Sequence, residues 1–386
     1  MIIGHFDRGI WFKGGIASYI RRISNAQRVA GHTVKFFSND PCAGADATEQ
    51  PILVRDDIEL FQQAEALNLD LLHLHGPLAV PPPSHLPVIR TLHGHSPYCP
   101  SGSKYLQRWN RPCDRSYSLH GCLWGHLVDY CGSVRPQRIA DNFQRLSREM
   151  EILQNIPVIT VSHFLKSQMV DAGYPIDSIH VLHLFSPEIA NISPPPPTGV
   201  PRFIFLGRLV PLKGLEWLLR SIRQVQVPIH LDIAGEGPQE SKMKHLVQRL
   251  QLEDRVTFHG WVDQDRVNQL IQSARALIFP SLWHEPGGTV AFEAMSQSRA
   301  VIMSRVGGMP EVVLSETNGL LIEPNNILEL AQCIEKLALD WSFAKELGEG
   351  GRKLAATKFT FDQHMDQLIQ LYKQTTVSLP HLTGQL

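Results

Sequence analysis

The feature that most constrains this chain is an alternation that occurs twice: a short apolar run, then a longer segment of helical periodicity, then another apolar run. In the first half, Met1–Phe6 reads as a strand, Gly14-Gly15 opens a helix through about Ala30, and Thr33–Phe37 reads as the next strand. Leu71–Leu74, Val88–Leu92 and Val158–Val161 are further apolar runs bounded by turn residues. Their continuous hydrophobicity suits strands covered on both faces, as in a parallel sheet. Ser162 is placed to cap a helix from His163 to about Ala172.

A stiff stretch, Ser193-Pro194-Pro195-Pro196-Pro197-Thr198-Gly199, then breaks the pattern and reads as an interdomain linker. The second alternation has strands at Arg202–Leu206, Ile229–Ala234, Val256–His259, Ala276–Phe279 and Ala300–Met303. Its helices fall at Leu215–Val225, Gln239–Leu250, Arg266–Ala274 and Thr289–Ser296. The expectation is an α/β chain of two doubly wound domains. Residues 1–192 form the first, residues 193–200 the linker and residues 201–360 the second. The segment 361–386 either continues the second domain or packs back on the first.

A chain of 386 residues exceeds one ordinary core, which agrees with two domains. A formal net charge of −1 gives no global reason to expect nucleic acid as a partner. No apolar run is long enough to span a bilayer, and the N-terminus has no signal-like pattern. A cytoplasmic protein is expected, with peripheral membrane contact left open. Oligomeric state is not legible.

In a parallel sheet, residues that follow the carboxyl ends of strands share one crevice. Gly207-Arg208, Lys213-Gly214, Gly235-Glu236-Gly237, Glu285 through Thr289 and Gly307-Gly308 all fall at such ends. Arg208 and Lys213 with glycine-exposed amides suit a diphosphate, whereas Glu285 and Glu311 suit sugar hydroxyls. A nucleotide-sugar is the ligand class that needs both.

The order of these segments resembles that of the family 4 glycosyltransferases. Phe205-Leu206-Gly207-Arg208 through Lys213-Gly214 matches the Gly-Arg…Lys-Gly segment of that family. Ile233 through Pro238 and Phe258-His259-Gly260 match the next landmarks, and Glu285 through Met295 matches its Glu-x7-Glu signature. Val306 through Glu311 and Asn318-Gly319-Leu320-Leu321 complete the series. Gly14-Gly15-Ile16 and Leu92-His93 carry a looser likeness in the first half.

The resemblance implies a GT-B fold, two Rossmann-like domains facing a cleft, and metal-independent transfer with retention from a nucleoside diphosphate sugar. UDP-sugar is favoured and GDP-sugar next; the hydroxyl acceptor is unidentified. It implies that Arg208 and Lys213 hold the diphosphate, Glu285 the donor sugar and His93 a place near the reacting carbon. Gly15, Gly207, Gly237, Gly287, Gly288 and Thr289 would line the donor, with Glu293 on the ribose. An inactive nucleotide-sugar-binding scaffold and a same-fold epimerase are the alternatives. A nicotinamide dehydrogenase is disfavoured, because no Gly-x-Gly-x-x-Gly follows the first strand.

The chain departs from the family pattern in two places. Gly287 stands where Phe is usual, and His183-Leu184-Phe185-Ser186 replaces Pro-Asn-Gly before the linker. Residues 96–135 form an insertion carrying Cys99, Cys113, Cys122 and Cys131, expected to overhang the cleft and either to shape an acceptor pocket or to be a plain surface loop. The cysteines read as free or buried thiols, a structural zinc site or disulfides. His95 is read as a strand-end histidine without a role, and Arg138–Asn155 as a packed surface helix.

Overall fold

The computed structural model describes residues 1–10, 14–40, 50–188 and 192–377. Strands in chain order are β1 (Ile2–Phe6), β2 (Thr33–Ser38), β3 (Ile52–Leu53), β4 (Leu71–Leu74), β5 (Val88–Leu92), β6 (Tyr105–Leu106), β7 (Arg111–Pro112), β8 (Val158–Thr160) and β9 (Ile179–Val181). The second half contributes β10 (Arg202–Leu206), β11 (His230–Ala234), β12 (Val256–Gly260), β13 (Ala276–Phe279), β14 (Ala300–Ser304) and β15 (Gly319–Ile322).

The first sheet runs β3-β2-β1-β4-β5-β8-β9 and the second β12-β11-β10-β13-β14-β15. Each of these pairings is parallel. In both sheets the order reverses beside the first strand, so each domain has a switch point where a crevice opens at the strand ends.

Local sequence explains the elements. The Gly15–Val29 helix buries Ala17, Tyr19, Ile20, Ile23, Ser24 and Gln27, the spacing of one helical face. Ser162 caps the His163–Asp171 helix by accepting from the Leu165 amide. In the second domain, Leu215, Trp217, Leu218, Leu219 and Ile222 face a core shared with Phe203, Leu231 and Ile278. The Pro136–Leu153 helix buries Ile139, Leu146, Glu149, Ile152 and Leu153 and leaves its other face to solvent.

Three features were not legible as such. The prolines are pinned rather than loose: Trp341 donates to the Pro195 carbonyl, Arg275 to Pro196 and Arg299 to Ser193. The Phe361–Val377 helix returns to the first domain, where Leu368 and Tyr372 pack with Ile3, Ile23, Phe36 and Ile89. The insertion carries a small antiparallel pair, β6 with β7, and a Leu119–Leu127 helix capped by Ser118. Among the described residues no helix is long and apolar enough to cross a membrane.

Candidate active site at the domain interface

On the C-terminal side, the loops after β10 and β11 touch through their backbones. The Gly207 amide donates to Ala234 (3.1 Å) and that of Gly235 to Gly260 (2.7 Å). A side-chain carbon at Gly235 would lie 2.0 Å from the Gly207 carbonyl oxygen, so only glycine permits this approach. At Gly237 an added carbon would lie 2.6 Å from the Leu209 carbonyl oxygen, again too close for a side chain. Arg208 stands exposed at the rim and forms no ion pair among the described residues.

Lys213 and Glu285 lie together. The ammonium is 2.7 Å from Glu285 Oε1, which also accepts from Ser281 Oγ (2.6 Å) and Trp283 Nε1 (2.5 Å). Nζ also lies 4.8 Å from the Phe279 ring and 5.4 Å from that of Trp283, so two aromatic faces confine it. With 6% of its side chain exposed, Glu285 is held in a fixed orientation by donors.

Gly288, at φ 55°, caps the Thr289–Ser296 helix, whose N-terminal amides face the same region. One turn on, partly buried Glu293 has its carboxyl pushed up to about 7 by desolvation, against a pull from Arg22.

Glu311 is not free for a ligand, contrary to the sequence reading. Its carboxylate accepts from the His163 and Phe164 amides (2.7 and 2.8 Å) and pairs with His183 (2.9 Å). It thus caps a helix of the opposite domain, where the helix dipole favours an anion.

On the N-terminal side, His93 follows β5 and ends a buried polar row. Register places His5 beside His73 on β1 and β4. Gln27 offers Oε1 to His5 Nε2 (2.9 Å) and donates Nε2–H to the Tyr372 hydroxyl (3.2 Å). An amide oxygen only accepts, so in this orientation His5 carries its proton on Nε2 and accepts at Nδ1 from His75 (3.1 Å). His75 in turn accepts at Nδ1 from His93 Nε2 (3.1 Å). His93 is thereby fixed with its proton on Nε2 and Nδ1 as the acceptor.

Burial holds these rings neutral, with His93 lowered to about 3 and His5 to about 4. His73 closes the network through the Tyr372 hydroxyl (2.6 Å) and Thr91 (2.7 Å). Gly15 sits exposed at the start of the first helix.

His95 has a role that its sequence position did not announce. Buried between the domains, it donates from Nε2 to the His284 carbonyl (2.6 Å), next to Glu285. Nearby, Phe164 stacks on His284 at 4.7 Å. Gly287 lies against Leu184 and Val161, where an added carbon would approach to 2.8 and 3.2 Å. The usual Phe has no space there. The segment His183–Ser186 is the crossing itself: the Ser186 amide donates to Phe359, and the His183 carbonyl accepts from His364.

The insertion does cross the cleft. Asp114 pairs with His284 (3.0 Å), Asn325 donates to the Asn110 carbonyl, and Tyr105 joins the second domain's core cluster. Its four cysteines line one cavity. A larger open groove of about 930 Å³ is lined by residues of the Gly15–Val29 and Phe361–Val377 helices. That groove is bordered by Arg22 and by helix side chains, not by the glycine loops at the strand ends.

Residues 188–354, the stretch that holds Arg208, Lys213, Glu285 and Glu293, match the family model described as glycosyl transferases group 1. That stretch of the C-terminal domain is similar to this family. Over 172 residues the chain is 31% identical to an uncharacterized glycosyltransferase of Methanocaldococcus jannaschii, covering 44% of each chain. It is 27% identical over 298 residues to the uncharacterized glycosyltransferase YqgM of Bacillus subtilis, 75% of this chain and 79% of that one. The matched stretch spans about half the length of the first of these curated relatives.

The fold is similar to that of a sucrose-phosphate synthase from Thermosynechococcus elongatus, with a TM-score of 0.74 and 23% identity over 98% of this chain and 99% of that one. It is also similar to Anabaena HepE solved with UDP-glucose, with a TM-score of 0.69 and 18% identity over 97% and 100%. The architecture is therefore GT-B, as the strand order of the two sheets already indicated.

Proposed function

We propose that the chain is a retaining glycosyltransferase that moves a sugar from a nucleoside diphosphate sugar to a hydroxyl acceptor. The observation that carries this reading is the Lys213–Glu285 pair beside the helix that starts at Thr289, at the switch point of the second sheet. A cation and helix-terminal amides suit a diphosphate, and an oriented carboxylate suits sugar hydroxyls. Uridine diphosphate is the first choice of leaving group, a preference supported by the UDP-glucose complex of the similarly folded HepE.

In this reading, charge develops on the diphosphate as the sugar C1–O bond breaks. Arg208 and Lys213 stabilise that charge, together with the amides of Gly288 and Thr289. Glu285, fixed by Ser281 and Trp283, accepts from donor hydroxyls. Glu293 takes the ribose. Because burial keeps His93 neutral, its contribution is an oriented acceptor at Nδ1 and not a proton. The insertion borders the acceptor side, through its contact with His284.

Calorimetric titration with uridine, guanosine and adenosine diphosphates, repeated on Lys213→Ala, tests the reading. One nucleotide should bind tightly and lose affinity in the variant. If none binds the folded protein, the donor-site assignment fails.

A further inference from the structure

The insertion brings together residues that the transfer reaction does not use. Cys99, Cys113, Cys122 and Cys131, spread from residue 99 to residue 131, line a single cavity of about 20 Å³, with His126, Lys104 and Arg115. That volume admits one water-sized or ion-sized occupant. The four thiols are unpaired.

His126 is fully buried, and its Nδ1 lies 3.0 Å from the Ser133 carbonyl. A carbonyl only accepts, so Nδ1 carries the proton and Nε2 the lone pair. That Nε2 is buried without a hydrogen-bond partner among the described residues. A ring with one nitrogen anchored on a carbonyl and the other unsatisfied has the arrangement of a metal-ligating histidine. Cys122 and His126 also share one face of the Leu119–Leu127 helix at a spacing of four residues.

Charge points the same way. Lys104, 3% exposed, donates to the Arg115 carbonyl and forms no ion pair among the described residues. A buried ammonium needs a nearby anion, and metal-bound thiolates would supply one.

We propose that this cavity is a structural zinc site whose four ligands are drawn from Cys99, Cys113, Cys122, Cys131 and His126. Among the described residues, the groups whose ligand atoms already lie within 4.8 Å of one another are His5/His73/His75 and His163/His183/Glu311. The nitrogens of the first group are committed to the polar row, and Glu311 of the second is committed to its helix cap. The thiols stand further apart around their cavity, so uptake of the ion draws the loops inward. Each thiol that binds releases a proton, and the ion then staples a segment whose own secondary structure is one short hairpin and one helix. The ordered insertion is what reaches Glu285's loop through Asp114.

The test is elemental analysis of the full chain purified without chelator, followed by thiol titration in the native state. About one zinc per chain is expected, with the cluster thiols protected until a mercurial releases the metal. The Cys113→Ser/Cys122→Ser variant should lose the zinc, and Cys333→Ser, outside the cavity, should keep it. Cobalt substitution should give the visible bands of a tetrahedral thiolate complex, a readout that does not depend on any variant folding. Four freely reactive thiols without metal would overturn the proposal. So would disulfides on peptide mapping, or iron with acid-labile sulfide. None of these outcomes touches the donor-site reading, which is tested by nucleotide binding.

Discussion

The two domains share a strand order yet line their common cleft with opposite chemistry. The C-terminal switch point presents an exposed Arg208, the Lys213–Glu285 pair and glycine loops in backbone contact. The N-terminal one presents neutral rings in a hydrogen-bonded row, from His93 through His75 and His5 to Gln27 and Tyr372. One side can answer a change in charge. The other can only orient, because desolvation removes the proton it would have to carry. A fold therefore fixes where a site lies, and residue chemistry divides the labour within it.

Lys213→Ala should break the contrast most severely. If Lys213 stabilises the leaving group as proposed, turnover is expected to fall by roughly 10²-fold or more, because a preorganised cation is lost. Steady-state kinetics on the wild type and variant would check this, and a change of less than a few-fold removes Lys213 from the chemistry.

Gly287→Phe tests whether the two sides must meet as closely as they do. The ring has no room against Leu184 and Val161, so it should wedge the domains apart. Misplacing one set of groups by an ångström lowers turnover by roughly ten- to a hundredfold. Small-angle scattering should show a more open particle, and an unchanged profile with full activity would show that the cleft tolerates the ring.

A pH series separates the two chemistries. Burial pushes the Glu293 carboxyl up to about 7 from its ordinary value of 4.5, so the folded chain binds an extra proton between those limits. Its contribution to stability is therefore full below pH 4.5 and is lost as pH rises to about 7. Glu293→Gln should remove that decline in chemical denaturation, and any kinetic limb near pH 7 with it. His93→Asn should leave the limb in place. A limb that disappears with His93 instead would mean that the histidine row carries charge.

Tyr372→Phe should have the smallest effect. It leaves His73 Nδ1 and Gln27 Nε2 without a partner, a cost of about 1–3 kcal/mol in urea unfolding. Nucleotide affinity should not change, because the groups proposed to bind the donor diphosphate lie in the other domain.

Much of the C-terminal site was legible because its parts are local. Glycines, cations and carboxylates follow the strands that position them, and a strand end is readable from a short apolar run. The Ser162 cap and the Pro136–Leu153 helix were legible for the same reason. Glu311 was misread, although its strand-end position was right. Its partners, His163, Phe164 and His183, come from the other domain, and nothing in the local pattern announces them. His95 was passed over for the same reason: its partner is a backbone carbonyl 189 residues away.

The sequence by itself determined the two parallel sheets and which residue types follow the strands of the second one. Periodicity and spacing act over a few residues, and these features need no more than that. Only the tertiary structure decided that Gln27 meets Tyr372 across 345 residues, that the last helix packs on the first domain, and that four scattered cysteines share one cavity. Those pairings depend on sheet register and on how two domains close. Burial then made them consequential, since a polar group removed from water must find its partner inside the protein.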